Sequence, residues 1–358
     1  MPSQKDASTI AVDINPATRG LVTGTETLTR EVCARLPAAA PEHRWRFFAS
    51  QPRAGLGVDV MVLPFSRLWS QVRLPIALAS ERPDLLFVPG HVLPFAWPGK
   101  ALTVVHDLAF ERHPDAYTTA DRAYLRVSTR WAVARCRLLI AVSESTKQDL
   151  VELYRVSPDR IRVVPLGISR PAAAPAPAAR LAELGLNGTF VLQVGRVEPR
   201  KNQAAALAAV ERLDGVTLVV AGQERDRALS EQLRNSTHSR ILGPVDQPTL
   251  ELLYKRAAAV VVPSLYEGFG LPVLEAMARG KVVVAAKSSS LPEVGGEAAL
   301  YFHTSADPDH LAKILEVAIG DQTLRTRLAR IARARAAKFT WEKTAAGIAA
   351  VINEVLAA

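Results

Sequence analysis

Short runs of Val, Ile and Leu recur along the chain and alternate with stretches of helical composition, such as Gln203–Leu213 and Pro272–Arg279. Several runs are continuously apolar, as expected for strands covered on both faces of a sheet. This alternation predicts an α/β fold with parallel sheets. The predicted strands are Thr9–Ile14, Trp45–Ala49, Val58–Leu63, Leu85–Val88, Leu102–Val105, Leu138–Val142, Ile161–Val164, Phe190–Val194, Val216–Ala221, Ala258–Val262 and Val282–Ala286.

A stretch rich in proline and alanine, Pro171–Arg180, divides the chain near its midpoint and is typical of a semi-rigid linker. A length of 358 residues agrees with two domains at roughly 150 residues each. We therefore predict one doubly wound domain over residues 1–170, a second over 181–340, and a final helix over 341–358. Apolar residues recur at helical spacing in that last segment.

Composition excludes several classes of protein. No run of 18 apolar residues occurs, which argues against a transmembrane helix, and the N-terminus lacks the apolar core of a secretory signal. Two cysteines, Cys33 and Cys136, are too few for a disulfide framework. The 49% hydrophobic content excludes disorder in all but short stretches. These features predict a cytoplasmic location.

The net charge of +9 favours anionic partners. Nucleic acid is disfavoured, because only 6% of residues are aromatic. Arg122, Arg126 and Arg130 share one helical face, and a second basic cluster runs from Arg325 to Lys338. Such faces are usually solvated. The alternative is that the N-terminal domain contacts an anionic membrane peripherally.

The segment Pro263–Gly280, PSLYEGFGLPVLEAMARG, contains the largest set of candidate ligand-binding groups. A strand ends at its start, and a loop with two glycines leads into a helix with Pro272 in its first turn, where proline is favoured. Free N–H groups at that helix start can bind phosphate. Glu267 and Glu275 lie eight residues apart, and carboxylates accept hydrogen bonds from vicinal sugar hydroxyls. The alternative is a helix whose first acid interacts favourably with the dipole.

Two further segments carry candidate chemistry. In Val194–Asn202, VGRVEPRKN, Arg196 and Lys201 precede a helix that Asn202 could cap, and such cations suit a diphosphate. The alternative is a solvated basic turn, and we expect Arg200 to face solvent. His106 and Asp107 follow a predicted strand, where His106 is either a structural residue or a ligand-binding one.

The E-x7-E spacing within EGFGLPVLEAMARG, with Leu291-Pro292-Glu293-Val294, resembles the signature of family 4 of the glycosyltransferases, which are retaining enzymes of the GT-B fold. The resemblance implies two Rossmann-like domains that face each other across a cleft. The N-terminal domain would bind the acceptor and the C-terminal domain a nucleotide sugar. The last helix would cross back to the N-terminal domain.

The resemblance also implies roles for single residues. Glu267 would bind hydroxyls of the donor hexose, and Glu275 the ribose. Arg196 and Lys201 would neutralise the leaving diphosphate, and His106 would contact the donor sugar, so the implied catalytic residues are His106, Arg196, Lys201 and Glu267. The other implied donor-binding positions are Gly24, Gly243, Val245, Gly268, Phe269, Gly270 and Leu271.

Asp307-Pro308-Asp309 spells the D-x-D of metal-dependent transferases, but helix capping explains it, so no obligatory metal and no other cofactor is expected. The segments HDLAF, SES, EGFGLP and SSLPEV look most like bacterial mannosyltransferases that use GDP-mannose. A UDP-glucose or UDP-N-acetylhexosamine enzyme, a nucleotide-sugar epimerase on the same fold and a non-catalytic binding protein are the alternatives. The expected acceptor is a glycan or a lipid-linked sugar, and a lipid-linked one would bring the enzyme to the inner face of the membrane.

Overall fold

The computed structural model describes residues 7–18, 23–52, 55–65, 68–169, 174–304 and 307–358. The chain forms two compact units. Unit 1 comprises Met1–Gly167 and Thr340–Ala358, and unit 2 comprises Ile168–Phe339. Of the predicted linker, Pro171, Ala172 and Ala173 lie outside the described residues, and its end, from Ala179, already belongs to a helix.

Unit 1 contains a sheet of seven parallel strands in the order β3-β2-β1-β4-β5-β6-β7. The strands are β1 Thr9–Asp13, β2 Arg44–Ala49, β3 Val60–Val62, β4 Leu85–Val88, β5 Ala101–Val105, β6 Leu139–Ala141 and β7 Ile161–Val163. The helices are α1 Asn15–Thr18, α2 Gly24–Cys33, α3 Leu36–Ala39, α4 Leu74–Glu81, α5 Ala109–Arg112, α6 Thr119–Arg135 and α7 Glu144–Tyr154.

Unit 2 contains a sheet of six parallel strands in the order β10-β9-β8-β11-β12-β13. The strands are β8 Thr189–Val194, β9 Val216–Ala221, β10 Ser239–Gly243, β11 Ala259–Val262, β12 Val283–Ala286 and β13 Ala299–Phe302. The helices are α8 Ala179–Glu183, α9 Gln203–Val210, α10 Arg227–Asn235, α11 Gln247–Arg256, α12 Leu271–Ala278, α13 Leu291–Gly295, α14 Pro308–Gly320 and α15 Gln322–Ala336.

The predicted α/β class with parallel sheets is confirmed, and all eleven predicted strands are present. The central strands β4, β5, β11 and β12 are wholly buried, which explains their continuous apolar runs. The prediction missed β10 and β13. Both are edge strands with partly exposed residues, and β10 begins with the polar pair Ser239-Arg240, whereas β13 is a short apolar run that the prediction overlooked.

The last helix, α16 Trp341–Ala357, belongs to unit 1. Trp341 is only 2% exposed, and the Thr344 hydroxyl donates to the Pro165 carbonyl at 2.8 Å. Ion pairs join Arg35 to Glu342 and Arg162 to Glu354. Gly167 passes so close to the start of α16 that a Cβ there would lie 2.3 Å from the Trp341 backbone nitrogen. These contacts therefore hold the helix against the rest of unit 1, most closely at its first turn. Every helix among the described residues is too short or too polar to cross a bilayer.

We predict that Gly167→Ala displaces the start of α16 and lowers the free energy of unfolding by about 1–3 kcal/mol, the usual cost of overpacking. Urea denaturation followed by tryptophan fluorescence measures it. The matched control is Gly320→Ala, where no atom lies within 4 Å of the added Cβ. Equal stability of the two variants would contradict the close packing of Gly167 against α16.

Candidate functional site

The candidate site of unit 2 lies at the carboxyl ends of β8 and β11. The strand order runs outward from these two neighbours in opposite directions, which makes this point the topological switch of the sheet. Open parallel sheets bind their ligands at such a point. Arg196 follows β8, and the loop that contains Glu267 follows β11. The strand order therefore brings together residues that are 71 positions apart in the sequence.

The Glu267 carboxylate is buried, at 7% exposure, and held by two neighbours. Its Oε1 lies 2.5 Å from Lys201 Nζ and accepts from the Ser264 hydroxyl at 2.8 Å. Burial by itself would raise the pKa of Glu267, but the charges of Lys201 and Arg200 and these hydrogen bonds outweigh it and lower the pKa. Glu267 is therefore a charged carboxylate at neutral pH, although it is removed from water.

Three consecutive serines after β12 hold the Glu267 loop in place through hydrogen bonds. The Glu267 N–H donates to Ser289 Oγ at 2.8 Å, and the Ser290 hydroxyl donates to the Glu267 carbonyl at 2.9 Å. The Ser288 hydroxyl donates to the Ser264 carbonyl at 2.7 Å. Sequence analysis quoted two of these serines only as part of a motif. Their position directly after an apolar run is the signal that could have identified them.

The expectation that Arg200 faces solvent was wrong. Its side chain is 13% exposed, donates to the Tyr266 carbonyl at 2.8 Å and pairs with Glu198 at 2.7 Å. It also lies 3.7 Å from Glu267 Oε2. A 3-10 turn over Pro199–Lys201 directs Arg200 inward, because the turn itself is bonded to the loop after β11.

The expectation that Asn202 caps the following helix with its side chain was also wrong. Asn202 stands at the cap position of α9 but has a φ of 53°, in the left-handed region, and its side chain makes no cap hydrogen bond. Asparagine tolerates that backbone conformation better than most residues. Its role is therefore to let the chain leave the 3-10 turn and enter the helix.

Arg196 differs from its neighbours in forming no ion pair with the residues that the structure describes. Its carbonyl accepts from the Gln203 side-chain amide at 2.8 Å, which fixes the backbone. Among the described residues, its guanidinium forms no ion pair and no hydrogen bond. Guanidinium groups bind phosphate oxygens in a bidentate manner. Arg196 is therefore a partly buried cation that is available to an anion.

The start of α12 offers hydrogen-bond donors close to Glu267. Gly270 has a φ of 100°, and a Cβ there would lie 2.8 Å from a methyl group of Leu291. In the part of the chain that the structure describes, the N–H groups of Phe269, Gly270 and Leu271 meet no protein acceptor. Free N–H groups at the positive end of a helix attract anions.

Glu275 lies one turn into α12. The Tyr254 hydroxyl donates to its Oε2 at 2.9 Å, while its Oε1 accepts no hydrogen bond from the described residues. Burial raises the pKa of Glu275 against the opposing charge of Arg279. Arg279 lies over the Tyr254 ring at 4.5 Å and pairs with Glu251. Tyr254 therefore orients one oxygen of Glu275 and leaves the other for a ligand.

Three glycines follow the strands on the other side of the switch point. Gly195, Gly222 and Gly243 stand at the ends of β8, β9 and β10. A Cβ at Gly222 would lie 2.0 Å from the Gly195 carbonyl oxygen, and the Gly222 N–H donates to the Gly243 carbonyl at 2.9 Å. Sequence analysis missed Gly222. No side chain therefore projects from these three positions. Val245, two residues after Gly243, is half-buried.

In unit 1, His106 follows β5. Its Nε2 lies 2.8 Å from the Pro89 carbonyl, which can only accept, so Nε2 carries the proton. Burial lowers the pKa of His106, and burial lowers the pKa of the nearby His91 to about 4. His106 is therefore a neutral imidazole at pH 7 whose Nδ1 is an acceptor. Gly24 is the first residue of α2, and Glu26 accepts from the Thr23 N–H at 3.0 Å, which starts the helix.

A cavity of about 370 Å³ lies at the carboxyl ends of β1 and β2. Amide and hydroxyl side chains line it, including Asn15, Ser50 and Gln71, together with the aromatic rings of Phe65 and Tyr124. Amides, hydroxyls and aromatic faces together suit a sugar, which is polar at its rim and apolar on its faces. Sequence analysis did not identify this cavity.

Asp307 caps α14, since its Oδ1 accepts from the Asp309 N–H at 3.1 Å. The capping interpretation of this D-x-D is confirmed. Across the described residues, no group of three or more His, Cys, Asp or Glu side chains could hold a metal ion.

We predict that Lys201→Met destabilises the protein by about 3 kcal/mol, because it leaves a buried carboxylate without its nearest cation. The charged Glu267 contributes stability that is present above its unfolded pKa and is lost as the pH falls through its lower folded pKa. In the variant the folded pKa rises, so the gap to the unfolded pKa narrows and less stability is lost as the pH falls.

Denaturation curves between pH 3 and 8 measure both effects. Lys287→Met is the matched control, because Lys287 is an exposed lysine in the neighbouring loop without an ion pair in the described structure. If the two variants unfold alike at every pH, Lys201 does not stabilise the charged form of Glu267.

Comparisons with known proteins agree with this geometry. Two family profiles match, Glycosyltransferase Family 4 over residues 22–170 and Glycosyl transferases group 1 over residues 182–335. O-antigen chain mannosyltransferase B of Escherichia coli is 33% identical over 296 residues, which cover 77% of this chain and 76% of that protein. A D-inositol 3-phosphate glycosyltransferase of Jonesia denitrificans is 34% identical over 249 residues, or 61% of this chain and 57% of that protein.

Among solved structures, the fold of HepE from Anabaena, crystallised with UDP and glucose, superposes with a TM-score of 0.77 at 20% identity. The match covers 97% of this chain and all of the HepE chain. The chain therefore belongs to family 4 of the glycosyltransferases, and it is a retaining hexosyltransferase with the GT-B fold.

Proposed function

We propose that the enzyme transfers mannose from GDP-mannose to a glycan or lipid-linked acceptor in bacterial polysaccharide or glycolipid synthesis. One observation carries the donor half of the proposal. The unpaired Arg196, the free N–H groups that start α12 and the charged Glu267 lie at one switch point of unit 2. Cations and N–H donors suit a diphosphate, while a charged carboxylate suits sugar hydroxyls.

The transfer breaks the bond from the anomeric carbon to the diphosphate and forms a bond from that carbon to the acceptor oxygen. The acceptor proton passes to the leaving diphosphate. Negative charge therefore grows on the β-phosphate, where Arg196, Lys201 and the N–H groups would stabilise it. Lys201 carries three N–H donors, so it can keep Glu267 in place and still reach a phosphate. This supply of positive charge is our reason for proposing a reaction without an obligatory metal.

Other residues would position the donor. Glu275 would accept from the ribose through its free oxygen, and Gly243 and Val245 would border the base. Gly195 leaves its side-chain position open to the nucleotide, and Gly222 lets its backbone lie against the Gly195 carbonyl. His106 Nδ1 would accept a hydrogen bond from a hydroxyl of the donor sugar, since Nε2 already donates its proton to the Pro89 carbonyl. The polar and aromatic cavity of unit 1 would take the acceptor, with Gly24 near the phosphates.

Mannose is proposed because O-antigen chain mannosyltransferase B is a relative at 33% identity. A UDP-glucose or UDP-N-acetylhexosamine enzyme is the alternative, since HepE was crystallised with UDP and glucose. A nucleotide-sugar epimerase on the same fold is the other alternative. An epimerase releases product without any acceptor, which distinguishes it from a transferase.

We expect the wild-type protein to bind GDP more tightly than UDP or ADP, without added metal, in isothermal titration calorimetry. Glu275→Ala should weaken GDP binding by about tenfold or more, because it removes a hydrogen bond to a charged group. Glu316→Ala, at an exposed glutamate on α14, is the matched control. A preference for UDP would overturn the mannosyl assignment, and equal affinity in both variants would remove Glu275 from the ribose site.

We also propose that a lipid-linked acceptor brings unit 1 to the inner face of the membrane. The sequence suggested a face with three arginines, but Arg122 and Arg126 both pair with Glu111. Tyr124, Val127 and Arg130 are among the exposed residues of α6. This smaller surface, with two apolar residues and one cation, is the one that could contact an anionic bilayer.

Arg130→Glu should reduce binding to phosphatidylglycerol vesicles at low salt by about tenfold, since each basic residue near such a surface contributes about 1 kcal/mol. Vesicle co-sedimentation measures it, and Arg225→Glu, an exposed arginine of unit 2, is the control. If the wild-type protein does not bind these vesicles, the proposal of membrane contact is wrong.

A further inference from the structure

Five cations gather at the edge of the unit 2 sheet that is opposite to the candidate donor site. We call them the basic edge: Lys255, Arg256, Lys281, Arg325 and Arg333. The first two end α11, Lys281 precedes β12, and the two arginines project from α15. Because β8, β11 and β12 begin here, this is the amino-terminal edge of the sheet. Helix α12, about 12 Å long at 1.5 Å per residue, separates it from the donor site.

No carboxylate among the described residues forms an ion pair with any member of the basic edge. Two cavities flank Lys281, and Glu251 is the one acidic residue among the described residues that line them. Its carboxylate is already paired with Arg279. Lys281 is partly buried, and its Nζ donates to the carbonyls of Lys255 at 2.7 Å and Ala257 at 2.9 Å. These bonds hold an ammonium group among other cations.

The surroundings of Lys281 disfavour its charge. Burial and the positive charges of Arg325, Arg333 and Arg256 lower the pKa of Lys281 to about 8. Like charges held this close repel one another. A bound anion would remove this repulsion, so the charge distribution itself favours an anionic ligand.

Two cavities flank Lys281, one of about 690 Å³ and one of about 410 Å³. Both are lined by Lys255, Gly280 and Lys281. The larger cavity adds Arg256 and Arg325, and the smaller adds Arg279 and Arg333. A Cβ at Gly280 would lie 2.4 Å from the Arg333 guanidinium carbon, so the glycine allows that guanidinium to lie against the backbone.

We propose that the basic edge binds a small anion with two or more phosphate groups. Cations stand on both sides of Lys281, so one phosphate group could occupy each cavity. Arginine binds phosphate in a bidentate manner, and lysine acts as a point charge. Neither cavity lining contains an aromatic residue on which a base could stack. Recognition therefore rests on phosphate groups, either of a free oligophosphate or of a lipid headgroup.

The test is titration calorimetry of inorganic pyrophosphate into the full chain and two variants on α15. Arg325→Gln removes a cation of the larger cavity. Arg330→Gln removes an exposed arginine of the same helix that lines neither cavity. We expect Arg325→Gln to weaken pyrophosphate binding about tenfold, and Arg330→Gln to leave it within about twofold, as expected for loss of one charged contact. GDP affinity should stay the same in all three proteins.

A second arm replaces pyrophosphate by cardiolipin vesicles, since that lipid headgroup carries two phosphate groups, and identifies the source of the phosphate. Vesicle binding that falls in Arg325→Gln but not in Arg330→Gln supports the same site with a lipid headgroup as its ligand. Pyrophosphate and vesicle binding that are both unchanged in Arg325→Gln would overturn the proposal. The comparison among variants does not depend on an occupied donor site, so failure of GDP to bind would be a separate result.

Discussion

The buried pair between Lys201 and Glu267 is the interaction on which the candidate site depends. It joins the loops that follow β8 and β11, the two strands at the switch point of unit 2. A buried ion pair stabilises a fold only when further hydrogen bonds satisfy its oxygens. Ser264 supplies such a hydrogen bond in this site, Arg200 adds a second positive charge at 3.7 Å, and Ser289 and Ser290 hold the backbone of Glu267. The loops after three strands thus form one hydrogen-bonded structure.

Local pattern predicted the elements and the chemistry of this site, but not its internal contacts. Arg196 and Lys201 were candidates because two cations precede a helix, and Glu267 because it stands eight residues before Glu275 at a helix start. Which charge meets which depends on strand order, since 66 residues separate Lys201 from Glu267. The same limit explains Arg200, whose burial is set by a loop of distant sequence.

The remaining misses have equally physical causes. Edge strand β10 is partly exposed, and its sequence accordingly mixes polar and apolar residues. Gly222 looks like an ordinary turn residue until the approach of the Gly195 carbonyl is known. Net charge was also a poor guide. Arg112, Arg126 and Arg162 are paired with carboxylates, whereas the five cations of the basic edge form no ion pair with the residues that the structure describes.

The membership of α16 in unit 1 has a consequence for how the protein is made. Unit 2 is one continuous segment, Ile168–Phe339, inserted between the two parts of unit 1. On the ribosome, unit 2 can complete its sheet while residues 340–358 are still being synthesised. Unit 1 cannot complete its packing until Trp341 has been synthesised and lies beside Gly167. The half of the enzyme that is synthesised first is therefore the half that finishes folding last.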